Sequence, residues 1–396
     1  MNKKDIANFR KQFKLETDLL KIQDIFYVYI VKESDVIYHH ESIPFEMLEK
    51  EQQELFIDSF KSVLTGQLDE KLFELKFKRD VENSSQLILH QGLLASDTED
   101  WKGQMLRLVE KMMKDKQYDM DIVITFVRGE YRKPVKARND EAEESEMDAL
   151  YSHSFTLCSV NKTQDPRKEL LFDYAEKGFK YNIVVDPIIN LKAPINGFLY
   201  PTFTDHYADV NHVLYAAGKK YELDDHFIID VLNAEETMTA QDDKIIFEEI
   251  VKKVAGDQLS TSTLSNVYDE INRVIEENEE EEIPKLDYKD VEQVLRSSGV
   301  QDVDTEKVEY AFKTVLDDTQ YELKASNILP KYTSKSIKIK TKLADIAVSP
   351  QDLRYVRQVM LNGKLCLVIE LEENTIIEGF HMIPEVLFEK AKVEQE

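Results

Sequence analysis

The amino-acid sequence predicts an α+β fold, with an N-terminal mixed α/β-layer domain, a central acidic helical region and a small C-terminal antiparallel β segment. Three observations predict it. Near the N-terminus, β-type runs such as IFYVYIV (25–31) alternate with apolar residues at helical spacing. Helical spacing with many carboxylates follows over 221–320. β-type runs return over 321–396, which indicates a C-terminal β-rich segment.

Residues 1–135 form the predicted N-terminal α+β domain. IFYVYIV and the run at 36–40 flank a turn at 32–35, which is typical of a β-hairpin. Apolar residues at helical spacing predict a helix from Pro44 to Leu64. The remaining predicted elements are a strand at 71–78, a helix at 104–116 and a strand at 121–127.

Residues 136–150 have the composition of a charged linker or exposed loop, because they are densely charged and show no apolar period. A β-rich segment is predicted over 151–220. Within it, 186–205 (DPIINLKAPINGFLYPTFTD) contains three prolines and one glycine, so it is predicted to be an irregular crossing rather than a regular element. The strands expected before this crossing are 155–160, 169–174 and 181–185.

From about residue 206 the pattern is helical, and 221–320 forms the acidic helical region. Residues 221–330 carry 29 acidic and 10 basic side chains. Thr239 and Asp242 have the spacing of a capping box. The glutamate-rich run 276–282 (EENEEEE) is expected to leave its helix as a solvated loop. The expected helices are one ending before Gly256, one with an apolar face from Leu264 to Ile275, one at 287–298 and one at 304–317.

The C-terminal segment, 321–396, is predicted to contain short antiparallel strands. Asn362 and Gly363, between VRQVML and KLCLVIEL, form the strongest hairpin-turn signal in the chain. The expected strands are 336–342, 355–361, 365–371 and 375–377.

Composition limits the class of protein. A chain of 396 residues is expected to hold about two or three domains, and its 42% apolar content excludes wholesale disorder. No apolar run approaches the length of a membrane span and the N-terminus lacks an apolar signal segment, so a cytoplasmic protein without membrane contact is expected. Cys158 and Cys366 each lie in an apolar run and are interpreted as buried cysteines of a reducing compartment.

The first candidate site is a lysine-rich strand. Residues 331–342 contain five lysines and no acidic residue. Strand alternation would place Lys338, Lys340 and Lys342 on one face at about 6.6–6.8 Å intervals, close to the phosphate spacing of an extended nucleic-acid strand. Together with Lys335 they are predicted to bind nucleic-acid phosphates without reading the base sequence. The alternative is an edge strand that its lysines protect from aggregation.

The second candidate is a metal site at Asp205, Asp209 and His212. These residues stand at i, i+4 and i+7 in TDHYADVNHVLY, so they share one face if a helix begins at Asp205. Two carboxylates and one imidazole are suitable ligands for a divalent metal. The alternative is that Thr204 and Asp205 cap the start of the helix, where a carboxylate satisfies free backbone N–H groups.

Motifs of common enzymes are absent from the sequence. It contains no glycine-rich phosphate loop, GxSxG elbow, HExxH or CxxC. Eleven glycines in 396 residues also disfavour folds whose backbone approaches a nucleotide closely. The sequence therefore predicts no cofactor and favours a protein that is not an enzyme.

Several segments of the sequence resemble two known protein families. DIANFRKQFK, GFLYPTFTDHYADVNHVLY, ASNI (325–328) and NGKLCLVIEL resemble a family of Gram-positive cytoplasmic proteins filed as a domain of unknown function, over essentially the whole chain. Residues from about 200 to the end also resemble the 37-kDa nucleoid-associated protein family, through 214–256, KSIKIKTKLAD and ENTIIEGFHMIP. The second resemblance implies chromosome association without enzymatic activity.

These observations predict a non-enzymatic cytoplasmic protein associated with the nucleoid or with DNA machinery, in which the lysine strand contacts DNA. The acidic helices over 221–320 would engage a basic protein partner or keep the rest of the chain away from DNA. Two alternatives stay open, namely an acidic interaction adaptor that binds basic partners and a metal-dependent hydrolase using Asp205, Asp209 and His212. The adaptor predicts no DNA binding at any salt concentration, and the hydrolase predicts bound metal in the purified protein.

Overall fold

The chain divides into two compact units, Met1–Thr239 and Ala240–Glu396. The predicted linker at 136–150 lies outside the described residues up to 149, and so do residues 279–282 of the acidic run. The computed structural model describes residues 1–34, 36–134, 150–164, 168–183, 186–204, 207–256, 259–278, 284–329, 331–373, 375–377 and 380–383.

The first unit is rich in strands. In chain order these are β1 (Leu20–Ile30), β2 (Ile37–Pro44), β3 (Leu72–Lys76), β4 (Ile122–Pro134), β5 (Leu150–Gln164), β6 (Lys168–Asp173), β7 (Gly178–Ile183), β8 (Ile188–Tyr200), β9 (Thr202–Phe203), β10 (Ala208–Asp209) and β11 (His212–Ala217). Its helices are α1 (Lys3–Lys11), α2 (Lys50–Val63), α3 (Ser85–Leu94) and α4 (Thr98–Met113), with a 3-10 turn at Phe45–Met47 and a π-helix at His226–Val231.

Seven of these strands form one antiparallel sheet in the order β2-β1-β4-β5-β8-β11-β3. The predicted N-terminal hairpin is confirmed, because β1 pairs with β2 from Asp24 opposite Pro44 to Ile30 opposite Ile37. At the far edge β3 pairs with β11, although about 140 residues separate them in the sequence, and Phe73 lies opposite Tyr215. The segments 1–135 and 151–220 therefore contribute strands to the same sheet.

Helices cover both faces of this sheet. On one face, α3, α4 and the π-helix bury residues such as Trp101 and Phe227 against the strands. On the other face, α1 and α2 bury residues such as Phe9 and Phe60. Because both faces are covered, the buried part of β4, IVITFV (122–127), is an almost continuous apolar run. The predicted α+β class is confirmed. The apolar face of α4 consists of Trp101, Met105, Leu108 and Met112, which recur every three or four residues.

The prediction that 186–205 is an irregular crossing is wrong, because most of it forms β8, an interior strand between β5 and β11. Pro194 lies opposite Asn161, where the register between β5 and β8 shifts. A proline at such a bulge costs no ladder hydrogen bond, since the ladder is already interrupted there. The other two prolines of the stretch lie just outside β8 at its two ends.

The second unit combines helices with short strand pairs. Its helices are α5 (Ala240–Ala255), α6 (Thr261–Glu277), α7 (Tyr288–Ser297), α8 (Thr305–Leu316) and α9 (Ala325–Ile328), with a 3-10 turn at Pro350–Tyr355. Its strands are β12 (Lys285–Leu286), β13 (Leu323–Lys324), β14 (Ile337–Lys340), β15 (Asp345–Val348), β16 (Val356–Leu361), β17 (Lys364–Ile369), β18 (Ile376–Ile377) and β19 (Phe380–His381).

The helices of the second unit follow the predicted pattern. α5 begins directly after Thr239, as the capping spacing indicates. The side chain of Asp287 accepts a hydrogen bond from the Asp290 backbone N–H at 2.9 Å and caps α7. Asp304 caps α8 in the same way through the Lys307 backbone N–H at 2.7 Å. These carboxylates satisfy donors that the first helical turn leaves free.

The predicted Asn-Gly hairpin is confirmed by β16 and β17, which pair around Asn362 and Gly363. Both turn residues have positive φ, 50° and 72°, as a type I′ turn requires. Cys158 is fully buried, as expected, but Cys366 on β17 is only half-buried, and its interpretation as a core cysteine is wrong. A two-stranded sheet has too little cover to bury it. Within the described residues, every helix is too short or too polar to cross a bilayer.

Candidate nucleic-acid interface

The lysine-rich segment forms one strand of a small hairpin, β14–β15. Along β14, Lys338 and Lys340 are exposed, whereas Ile337 and Ile339 are half-buried. The two isoleucines pack against a small apolar cluster centred on Tyr268, Leu353 and Val356. The hairpin is thereby anchored through one face, and its lysines point to solvent on the other.

The other two predicted lysines lie outside the strand. Lys335 is exposed in the turn that precedes β14. Lys342 is exposed in the connection to β15, beside Leu343, which is 98% exposed. Thr341 closes this connection, because its side-chain oxygen accepts hydrogen bonds from the backbone N–H groups of Leu343 (3.2 Å) and Ala344 (2.8 Å). The strand observed, Ile337–Lys340, is therefore shorter than the predicted strand at 336–342. The hydroxyl of Thr341 binds backbone N–H groups that would otherwise be available to the hydrogen bonds between the strands.

The charges around this hairpin are mainly basic. Within 331–357 there are seven basic and two acidic residues, in a chain whose net charge is −26. Asp345 lies directly across from Lys340, whereas Lys338 faces Ala347. Among the described residues, no carboxylate oxygen lies within the 4.0 Å of an ion pair from the ammonium of Lys335, Lys338, Lys340 or Lys342. The lysine face is therefore available to an external anion.

The predicted metal site is arranged differently from the helical expectation. Asp209 ends β10 and His212 begins β11, so no helix runs through them and that expectation is wrong. The Asp209 carboxylate instead holds a turn, accepting from the Asn211 backbone N–H at 2.8 Å and from His212 Nδ1 at 2.6 Å. Asp205 lies outside the described residues. Among those described, no three potential ligands from His, Cys, Asp and Glu are grouped to hold a metal ion.

The pair of Asp209 and His212 predicts a pH dependence of stability. Burial alone would raise the pKa of the Asp209 carboxyl, but the hydrogen bonds from Asn211 and His212 outweigh it and hold the pKa below its usual value. Ionised Asp209 therefore stabilises the fold above the unfolded-chain pKa of about 3.9, and this contribution disappears as the pH falls through the folded value. We expect Asp209→Asn to lower the melting temperature at neutral pH and to match the wild type more closely in acid. Thermal unfolding of the wild type and the variant over a range of pH measures the difference in melting temperature. Asp230→Asn, at an exposed aspartate, is the control. A difference in melting temperature that does not change with pH would contradict this assignment.

A polar site that the sequence interpretation missed lies in the first unit, around Arg128 on β4. Its Nε donates to Asp24 Oδ2 at 2.7 Å and its Nη2 donates to Thr98 Oγ1 at 3.0 Å. The guanidinium carbon lies 5.1 Å from the centre of the Trp101 ring. The side chains of Arg128 and Asp24 are only 15% and 11% exposed. Both charges are thus held by direct contacts, with most of each side chain withdrawn from solvent.

A β-bulge in β1 creates this arrangement. The register with β4 shifts between Ile22 and Asp24, which leaves Gln23 as the extra residue and aligns Asp24 with Arg128. A Cβ atom on Gly129 would lie 2.3 Å from the Lys21 carbonyl oxygen, so only glycine fits beside the bulge. A cavity of about 440 Å³ opens here, lined by Lys21, Gln23, Asp24, Glu46, Ser96 and Arg128 among others. One signal was present in the sequence, because Asp24 directly precedes the apolar run 25–31 and Arg128 directly follows the apolar run 122–127.

One comparison with known proteins gives a match. The model of a family described as "Domain of unknown function (DUF4317)" matches residues 1–380. No curated protein sequence matches the chain.

Proposed function

We propose that this chain, which belongs to the DUF4317 family, binds nucleic acid through the phosphate backbone, with the lysine face of β14–β15 as the contact surface. The observation that carries the proposal is the hairpin itself, whose apolar face is anchored and whose lysines are exposed without carboxylate partners among the described residues. The binding would be independent of base sequence, because ammonium groups on a strand contact phosphates rather than base edges.

The fixed orientation of the hairpin supports this function. Ile337, Ile339 and Val348 pack on the cluster of Tyr268, Leu353 and Val356. The hydroxyl of Tyr332, just before the hairpin, donates to Asp269 on α6. Because the backbone is held in this way, it loses little further freedom when the lysines bind a phosphate, and less of the interaction energy is lost to ordering.

The composition of the hairpin tip supports contact with duplex DNA. It presents Lys342 and the almost fully exposed Leu343 side by side. Proteins that bind the minor groove often insert an apolar side chain between base steps while neighbouring cations contact the phosphates. An exposed leucine at a basic tip supports the same arrangement here. The resemblance of the C-terminal half to the 37-kDa nucleoid-associated family supports a cytoplasmic protein that associates with the nucleoid.

The salt dependence of binding tests the proposal. If Lys338, Lys340 and Lys342 each neutralise a phosphate, log K should fall with log salt at a slope of about −2.7, so affinity should drop roughly 40-fold between about 50 and 200 mM salt. We expect replacement of all three by glutamine to remove this part of the slope. Fluorescence anisotropy with a short labelled mixed-sequence duplex measures both quantities.

A matched control removes three lysines from the acidic helices instead, as Lys252→Gln, Lys253→Gln and Lys313→Gln. This control should retain the wild-type slope, because these lysines lie on α5 and α8 rather than on the hairpin. An unchanged slope in the hairpin variant would exclude direct contact by this surface. An absence of DNA binding by the wild type at every salt concentration would favour the acidic adaptor, whose partner should then be lost on deletion of 276–282.

A further inference from the structure

The ribbon formed by β6 and β7 exposes large apolar side chains. The ribbon lies between β5 and β8 in the chain and is a separate two-stranded sheet. Phe172, Phe179 and Tyr181 are 45%, 74% and 77% exposed, and Leu170 and Tyr174 are 57% and 86% exposed. Single exposed apolar residues are common on protein surfaces, but a contiguous group indicates an interaction site.

These side chains share one face of the ribbon. Leu170 lies opposite Tyr181, and Phe172 lies opposite Phe179, so the four form two adjacent cross-strand pairs. The Phe172 ring centre is 5.3 Å from that of Phe179 and 5.2 Å from that of Tyr174, with edge-to-face geometry. The five residues therefore form one continuous apolar surface, which we call the aromatic face.

None of the five residues of the aromatic face is charged. The charged pair of the ribbon, Asp173 and Lys180, belongs to the opposite face, where Lys180 donates to the Asp173 carboxylate. Asp173 also accepts from the backbone N–H groups of Ala175 (2.8 Å) and Glu176 (3.1 Å), which closes the turn between the strands. Polar contacts thus shape the ribbon from one side and leave the aromatic side to packing alone.

The aromatic face of the ribbon lies outside the cores that the described residues build. None of the five residues of the aromatic face belongs to either of the two cores formed by the described residues of the first unit. An isolated two-stranded hairpin is marginally stable in water, and it persists when another surface buries one of its faces. The aromatic face therefore requires an occupant.

We propose that the occupant is a second copy of this chain, and that two ribbons pack aromatic face against aromatic face in a twofold dimer. An uncharged face offers nothing with which to select an acidic or a basic partner, whereas it is complementary to itself. The net charge of −26 makes most other surfaces of two copies repel each other, so self-association favours a neutral patch. The cross-strand pairs Leu170–Tyr181 and Phe172–Phe179 of one copy can interdigitate with the same pairs of the second copy.

The area agrees with a reversible dimer. At about 200 Å² for a whole large apolar side chain, the exposed fractions of the five residues of the aromatic face amount to roughly 650–700 Å² per copy. Two copies would bury at most about 1,300–1,400 Å², in the lower part of the range of specific protein interfaces. We therefore expect a dimer that dissociates at about micromolar concentration rather than a permanent one.

Sedimentation velocity over a concentration range tests the dimer with one matched pair of variants. Tyr181→Glu places a carboxylate on the aromatic face, and we expect it to weaken dimerisation at least about tenfold, because two charges would be buried in an apolar contact. Tyr310→Glu makes the same change on α8, where the tyrosine is 70% exposed, and should dimerise like the wild type. The wild-type dimer should persist or strengthen at about 0.5 M salt, since salt screens the repulsion between acidic chains.

A second experiment does not depend on how the Tyr181→Glu variant folds. Phe179→Cys in a Cys366→Ser background should form an intermolecular disulfide under mild oxidation, because a twofold axis through the aromatic face brings the two copies of this position together. Cys158 cannot compete, since it is fully buried. A wild-type chain that stays monomeric throughout, or a dimer that Tyr181→Glu leaves intact without cross-linking at position 179, would overturn the proposal.

Discussion

Replacing Asp24 by alanine is expected to lower the free energy of unfolding by about 3–5 kcal/mol, because it leaves the guanidinium of Arg128 buried without its counter-charge. The side chain of Arg128 is 15% exposed, and its Nε donates a hydrogen bond to Asp24 Oδ2 at 2.7 Å. No described carboxylate other than Asp24 forms an ion pair with it. The loss should be measured by chemical unfolding followed by circular dichroism.

Two further variants separate the ion pair from other effects. Asp58→Ala removes a carboxylate that pairs with Lys61 at 3.4 Å on the surface, and should change stability little. The double variant Asp24→Ala with Arg128→Met removes both charges and should recover much of the loss, since the buried charge is then gone. A loss below about 1 kcal/mol for Asp24→Ala would mean that water already compensates Arg128 from the adjoining cavity.

Replacing Asp243 by alanine is expected to destabilise the second unit by about 2–4 kcal/mol. Asp243, on α5, is 1% exposed and its carboxylate accepts hydrogen bonds from the Tyr321 hydroxyl and from Asn327 Nδ2, both at 2.7 Å. These contacts join α5 to segments about 80 residues later in the chain. Its removal deprives both donors of a charged acceptor, and hydrogen bonds to charged groups are the stronger ones.

The control for Asp243 is Glu249→Ala on the same helix. Glu249 is exposed, so its removal should alter stability by no more than about 0.5 kcal/mol. Urea unfolding of the full chain measures both variants. Equal effects of the two substitutions would show that the network around Asp243 contributes nothing beyond helix propensity, and would contradict the prediction.

Features set by neighbouring residues were predictable from the sequence. The hairpin of β1 and β2, the helices α6, α7 and α8, and the Asn-Gly turn all follow from local period, capping or turn chemistry. The alternation of the exposed Lys338 and Lys340 with half-buried isoleucines also follows, because successive strand residues point to opposite faces. The nucleic-acid function assigned to these lysines stays a prediction.

Features that depend on distant partners were predicted wrongly or not at all. Pro194 appeared to forbid a strand, yet a register shift opposite Asn161 accommodates it. Asp209 and His212 appeared to share a helix, whereas β11 pairs with β3 and draws the chain into the sheet. Local propensity lost to tertiary pairing in both cases, because a ladder of backbone hydrogen bonds and buried side chains outweighs the preference of a few residues.

By itself, the sequence determined the α+β class, the concentration of acidic residues over 221–330 and the short basic strand that contrasts with it. Only the tertiary structure decided that β3 joins β11, that a bulge aligns Asp24 with Arg128, and that the β6–β7 ribbon exposes its aromatic residues on one face. The physical reason is the distance along the chain over which each effect acts. Periodicity, capping and charge act over a few residues and can be read along the chain, whereas pairing and burial depend on which distant surfaces meet.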